Sequence, residues 1–112
     1  MQKDKIMVVL VEGELKSLLL GGDSKEYRDV ARNQELLNGF KRAVTVMQAV
    51  NNVEELKAFS FLHYEKLKYG FSGYSSVRLS NRYVHRLLFH EHEDCITLEL
   101  IRIDNTHYGN KH

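Results

Sequence analysis

The sequence has no proline, a single cysteine and no apolar run long enough to cross a bilayer, and each absence narrows what the chain can be. Without proline, low-complexity tracts or repeats nothing marks a linker, so the 112 residues are expected to form one domain around one core. One cysteine, Cys95, excludes an intrachain disulfide and favours a reducing, cytoplasmic compartment. Cys95 opens a strand-like run and is expected as a small buried thiol rather than a nucleophile. Glu12 and Glu14 interrupt the short apolar run near the N-terminus, so neither a membrane span nor an export signal is expected. Net charge is nearly absent too: 16 Lys and Arg against 15 Asp and Glu leave +1, and bulk charge does not argue for nucleic acid.

Local charge does argue for it. The stretch His63–Arg86 gathers Lys66, Lys68, Arg78, Arg82 and Arg86 and has no acid after Glu65. Tyr64, Tyr69, Phe71, Tyr74 and Tyr83 alternate with these cations, so groups that hold phosphate are mixed with rings that can carry a stacked base. Glu91, Glu93, Asp94, Glu99 and Asp104 follow, which predicts a polarised surface.

Periodicity supplies the frame. Ile6–Val11 is a continuous apolar run that reads as a strand buried on both faces, central or nearly so. Leu15, Leu18 and Leu19 give a short helix over Glu12–Leu20 that stops at Gly21-Gly22. The polar stretch Asp23–Asn33 reads equally as a loop or as an extension of the next helix. From Gln34 to Val50, Leu36, Leu37, Phe40, Ala43, Val44, Met47 and Val50 recur three or four apart, an amphipathic helix with one buried stripe. Asn52 and Glu55 can form a capping box for a further short turn.

After residue 72 the period changes to that of strands: Tyr74–Leu79, Tyr83–His90 and Ile96–Asp104, joined by short polar connections, predict a three-stranded antiparallel meander. The expected fold is α+β, in the order β-α-α-β-β-β, with two helices on one face of a mostly antiparallel four-stranded sheet. Alternation turns Val77 and Leu79 inward and puts Tyr74, Ser76 and Arg78 on the open face. In the second meander strand both sets of alternate residues carry apolar groups, so Arg86 either lines a site or snorkels from a core edge.

The run LHYEKLKYGFSGYSSVRLSNRYVHRLLF, then ITLELIRI and THYGNK, resembles the RelE/ParE superfamily of bacterial toxin–antitoxin toxins, nearest its HigB- and RelE-like members. The specific motifs, LKxxxxGYSSVRL and the terminal HYG, lie in the second half; the first half matches in pattern alone. The resemblance implies a RelE-like fold and a ribosome-dependent mRNA interferase, which cleaves the codon in the A site by attack of a ribose 2′-OH on its own phosphodiester. It implies no metal and no cofactor, and as partners a cognate antitoxin, the ribosome and mRNA. Lys66 and Lys68 fall where the family places basic residues before the meander. Arg78 matches the arginine of the family's S-[VI]-R strand, a phosphate clamp, with Tyr74 beside it for RNA contact. His107 and Tyr108 match a C-terminal pair that supplies acid or base and a ring. For the arginine of the second strand NRYVHR admits two registers; we place Arg86 in the catalytic set with Lys68, Arg78, His107 and Tyr108, and Arg82 among the RNA contacts with His63 and Lys66.

Plainer readings stand beside these. Lys66 and Lys68 can be a solvated loop, and His107 and Tyr108 a tail docked on a sheet end. ParE-like members of the superfamily inhibit DNA gyrase by protein contact, and a degenerate member would act only as a binding module. His85, His90 and His92 with Glu91, Glu93 and Asp94 have metal-ligand chemistry, but a solvated hairpin tip is the ordinary reading and no metal is assigned.

Overall fold

The computed structural model describes residues 7–68, 73–94 and 96–105. Ile6, Tyr69, Phe71, Cys95, His107 and Tyr108 lie outside the described residues. The elements run β1 (Val8–Leu10), α1 (Gly13–Gly21), α2 (Arg28–Ala31), α3 (Gln34–Ala49), α4 (Val53–Lys57), a 3-10 turn (Ser60–Leu62), β2 (Glu65–Lys66), β3 (Ser75–Arg78), β4 (Arg86–Glu91) and β5 (Thr97–Asp104). They make an α+β fold on a five-stranded sheet in the order β1-β5-β4-β3-β2, with β1 parallel to β5 and every other pair antiparallel.

The helices follow from their sequences. In α3 the stripe Leu36, Leu37, Phe40, Ala43, Val44 and Met47 is buried, and the Asn33 side chain accepts the Leu36 N–H at 3.2 Å as N-cap. Helix α1 ends as glycine chemistry allows: Gly22 takes a positive φ of 69° and its N–H returns to the Leu18 carbonyl. The Asp23–Asn33 stretch is neither pure loop nor helix extension. The Glu14 carboxylate reaches over it, accepting from Ser24 Oγ at 2.7 Å and Lys25 N–H at 2.8 Å, and the single turn α2 buries Val30. Those bonds, that from Ser24 foremost, hold the Glu14 carboxyl below the ordinary range. The capping box before α4 closes one residue early: Asn52 accepts the Glu55 N–H at 3.0 Å, but Glu55 accepts the N–H of Asn51.

Three expectations are corrected. Among the described residues the sheet has five strands rather than four, because Glu65–Lys66 adds an edge pairing to β3, and the helical layer has four helices, two of them only four and five residues long, where two were expected. The first strand is not central. It pairs with β5 at the sheet edge, where Val9 turns to the core and Val8 and Leu10 stay 46% and 42% exposed on the face that the helices do not cover. A run of apolar residues cannot by itself tell an edge strand from a buried one. The second meander strand begins at Arg86, not Tyr83, since residues 79–85 form a longer connection fixed by its own side-chain bonds.

Register assigns the faces. Val77, Leu87, Phe89, Leu98, Leu100 and Ile103 face the helices and form the core with the α3 stripe. Arg78, Arg86 and Asp104 form one cross-strand row on the other face, and Ser76, Leu88 and Arg102 form the next. That face is not simply open, because Ser76 and Leu88 are both buried. At one place the layers nearly touch: a Cβ on Gly39 of α3 would lie 1.8 Å from the Leu79 carbonyl oxygen. Only glycine there lets α3 approach the β3–β4 connection this closely.

Candidate functional site

That close approach creates a cleft of about 300 Å³ between the first half of α3, the 3-10 turn and the connection after β3. Glu35, Gly39 and Arg42 sit four and three residues apart on α3 and so share its side towards the cleft. Arg78 at the end of β3, Arg82 from the connection and Phe61 from the 3-10 turn complete the lining. Three arginines and one glutamate therefore line the cleft, a charge balance that favours an anion.

The cations are held to different degrees. Arg78 curls along its own connection, donating from Nη2 to the Tyr83 carbonyl at 2.8 Å and from Nε to the Ser80 carbonyl at 3.4 Å. A guanidinium has five N–H donors, so this grip orients Arg78 while leaving donors for a ligand. Arg82 is 74% exposed and reaches Glu35 Oε1 at 3.3 Å, and its guanidinium lies 5.7 Å from the Tyr83 ring centroid. Arg42 stacks over Phe61 at 5.4 Å, and Phe61 meets Phe59 edge to face at 5.9 Å. Both phenyl rings are exposed, as a surface that stacks bases requires. Glu35 also accepts from Ser80 Oγ, tying the connection to α3.

His63 belongs to the rim. Among the described residues it is the one non-glycine with positive φ, 49°, and its Nε2 lies 3.1 Å from Oδ1 of Asn81, a cleft residue. Histidine tolerates this left-handed conformation better than most residues, and the ring is left exposed at the mouth.

The other expected cations sit elsewhere. Lys66 lies on β2, 3.3 Å from Glu91 Oε1, at the end of the core where Glu91 also accepts from Tyr64 OH and from Ser75 Oγ at 2.5 Å. Burial pushes the Glu91 carboxyl up, but the bonds from Ser75 and Tyr64 and the Lys66 charge outweigh it, and the group sits below the ordinary range. Burial first, and the Glu91 bond second, push the Tyr64 phenol up to about 12. Arg86, with its side chain only 11% exposed, lies 3.8 Å from both Glu65 and Asp104 in the cross-strand row. Tyr74 is half-buried and its carbonyl accepts the Leu67 N–H, and Lys68 is exposed.

The structure thus brings Arg78 and Arg82 to one cleft, with His63 at its rim, and holds Lys66 on Glu91; Arg86 is the cross-strand neighbour of Arg78 but is engaged by Glu65 and Asp104, and His107 and Tyr108 fall outside the described residues. Arg42, Glu35, Phe59 and Phe61 are additions that sequence reasoning missed. Their signal was the spacing of Glu35, Gly39 and Arg42 along one side of a helix whose opposite side is core. A second unanticipated pair, His85 Nε2 with Asp29 Oδ2 at 2.7 Å, joins α2 to the start of β4; burial raises Asp29, but the bond and charge of His85, with the bonds from Val30 N–H and Asn105, together outweigh it and hold the carboxyl below the ordinary range.

No protein-family model matches the chain, and no curated protein matches it either. Among solved structures it is similar to the RelBE2 toxin–antitoxin complex from Mycobacterium tuberculosis, at 16% identity and a TM-score of 0.47, covering 90% of this chain and 99% of that one.

Proposed function

We propose that this chain is a toxin-type endoribonuclease that grips mRNA in the arginine cleft, acts in the ribosomal A site and is silenced by a cognate antitoxin. The observation that carries the RNA reading is the convergence of Arg42, Arg78 and Arg82 on one cleft, walled by the exposed ring of Phe61. Guanidinium forks hold phosphate oxygens and spread the charge that builds up on them, and the phenyl ring takes a base.

In the reaction that the sequence resemblance implies, the ribose 2′-oxygen loses its proton to a base and bonds to the adjacent phosphorus. The phosphorus–O5′ bond breaks and an acid protonates the leaving oxygen. Arg78, oriented by its two carbonyl bonds, clamps the phosphate; Arg42 and Arg82 flank it. His63 at the rim, with His107 and Tyr108 of the terminal motif, supplies the proton-transfer groups, and Lys68 adds to RNA contact. Lys66 and Arg86, engaged by Glu91 and by Glu65 with Asp104, brace the sheet.

Mapping RNA ends during induced expression without antitoxin tests this reading. Truncated translated mRNAs and growth arrest are expected from the natural chain. Relief of both is expected from an Arg42→Ala, Arg82→Ala double variant whose circular dichroism is unchanged. Intact mRNA together with lost supercoiling would replace it by the gyrase reading.

A further inference from the structure

At the opposite end of β4 from the arginine cleft, His90, His92 and Glu99 bring two imidazoles and a carboxylate together, with all three ligand atoms within 4.8 Å of one another. We propose that these residues form a binding site for a divalent first-row transition ion of the zinc class. The site stands apart from the RNA reading and does not depend on it.

The strand geometry builds it. His90 and His92 are two apart, so they project from the same side of the chain, and Glu99 is the cross-strand neighbour of His90 on β5. The His92 N–H donates to the Thr97 carbonyl at 2.9 Å, which carries the pairing one residue past β4 and fixes where the second imidazole starts. The two rings meet edge to face with centroids 5.3 Å apart, and His92 Nε2 is already 3.1 Å from Glu99 Oε1. Tetrahedral zinc with nitrogen and oxygen ligands at its usual bond lengths needs donor atoms about 3.4 Å apart. Small side-chain rotations at the surface therefore close the set. His92 and Glu99 are 37% and 49% exposed, so an ion has a path in and a solvent-facing position remains open for a fourth ligand.

The acids next in sequence do not belong to the set. Glu91 turns to the other face, onto Tyr64 and Ser75. Asp94 spends its oxygens on the turn, accepting from the Ile96 and Thr97 N–H groups at 2.9 Å each and from Thr97 Oγ1 at 2.6 Å. His85 is bonded to Asp29 near the other end of β4. Two imidazoles with one carboxylate suit zinc, nickel, cobalt or copper and are poor ligands for magnesium or calcium.

Titration calorimetry of the full, untagged chain with zinc chloride is the test, with His90→Ala, His92→Ala, Glu99→Gln and His112→Ala variants alongside. One zinc per chain is expected, with a rise in melting temperature that chelator reverses and that magnesium chloride does not produce. Either histidine substitution should weaken binding at least about tenfold, Glu99→Gln should weaken it less, and His112→Ala should leave it unchanged. No zinc binding by the natural chain, undiminished binding by His92→Ala, or loss in His112→Ala alone would overturn the assignment.

Discussion

The arginine cleft and the Glu91 cluster both draw on the basic, tyrosine-bearing stretch after residue 62, yet they spend their polar groups in opposite ways. Around Glu91, the partners Tyr64, Ser75 and Lys66 converge on one carboxylate at the end of the core, and Ser75 is buried. In the cleft the cations outnumber the acid, Arg82 is largely exposed, and the ring of Phe61 is exposed. A cluster that satisfies itself stabilises a fold, whereas one with surplus donors in a concavity is prepared for a ligand. Cation count along the chain cannot separate the two; only the position of the acids in space can.

The largest effect should come from breaking the satisfied cluster. Glu91→Ala leaves the Tyr64 and Ser75 hydroxyls without their acceptor and should cost roughly 2–3 kcal/mol in urea unfolding, with RNA affinity of the folded fraction unchanged. The same cluster contributes to the response to pH at both ends of the scale. Glu91 lies below its ordinary value when folded, so its contribution is present above the unfolded carboxylate value and is lost as pH falls through the lower folded one. Tyr64 runs the other way: its contribution is complete below the unfolded phenol value of about 10. It is lost as pH rises towards the folded value of about 12, and Tyr64→Phe should remove that alkaline loss from melting curves.

Next comes Gly39→Ala, which presses a methyl group onto the Leu79 carbonyl. A loss of about 1–3 kcal/mol is expected from overpacking, with weaker RNA binding because the connection carrying Arg78 and Arg82 is pushed from α3. Arg42→Ala should lower affinity for single-stranded RNA about tenfold and reduce the salt slope by about one, while changing stability by less than about 0.5 kcal/mol. The smallest effect belongs to Lys66→Ala, an exposed ion pair worth under about 1 kcal/mol, with RNA affinity near that of the natural chain.

Much of the frame was legible because periodicity records burial. The α3 stripe, the helix stop at Gly22, the antiparallel meander and the inward turn of Val77 and Leu79 all follow from spacing. The edge position of β1 was not, since Val8, Val9 and Leu10 look alike whether one face or two are covered. Of the site, Arg78 and Arg82 were visible as cations in a basic stretch. Arg42 and Phe61 were not, because their part in the cleft depends on α3 lying against Leu79, a contact 40 residues apart in sequence that only Gly39 allows. The ion pairs of Lys66 and Arg86 were hidden for the converse reason: their carboxylates, Glu91 and Asp104, come from strands paired later in the chain.

The most direct test sets the two regions against each other in one assay: affinity for a short single-stranded RNA, at one fixed salt concentration, for the natural chain, the Arg42→Ala, Arg82→Ala variant and Lys66→Ala. A loss of roughly a hundredfold in the cleft variant, at about tenfold per arginine, with Lys66→Ala within about twofold of the natural chain, is the predicted result. Unchanged affinity in the cleft variant, or a greater loss from Lys66→Ala, would contradict it.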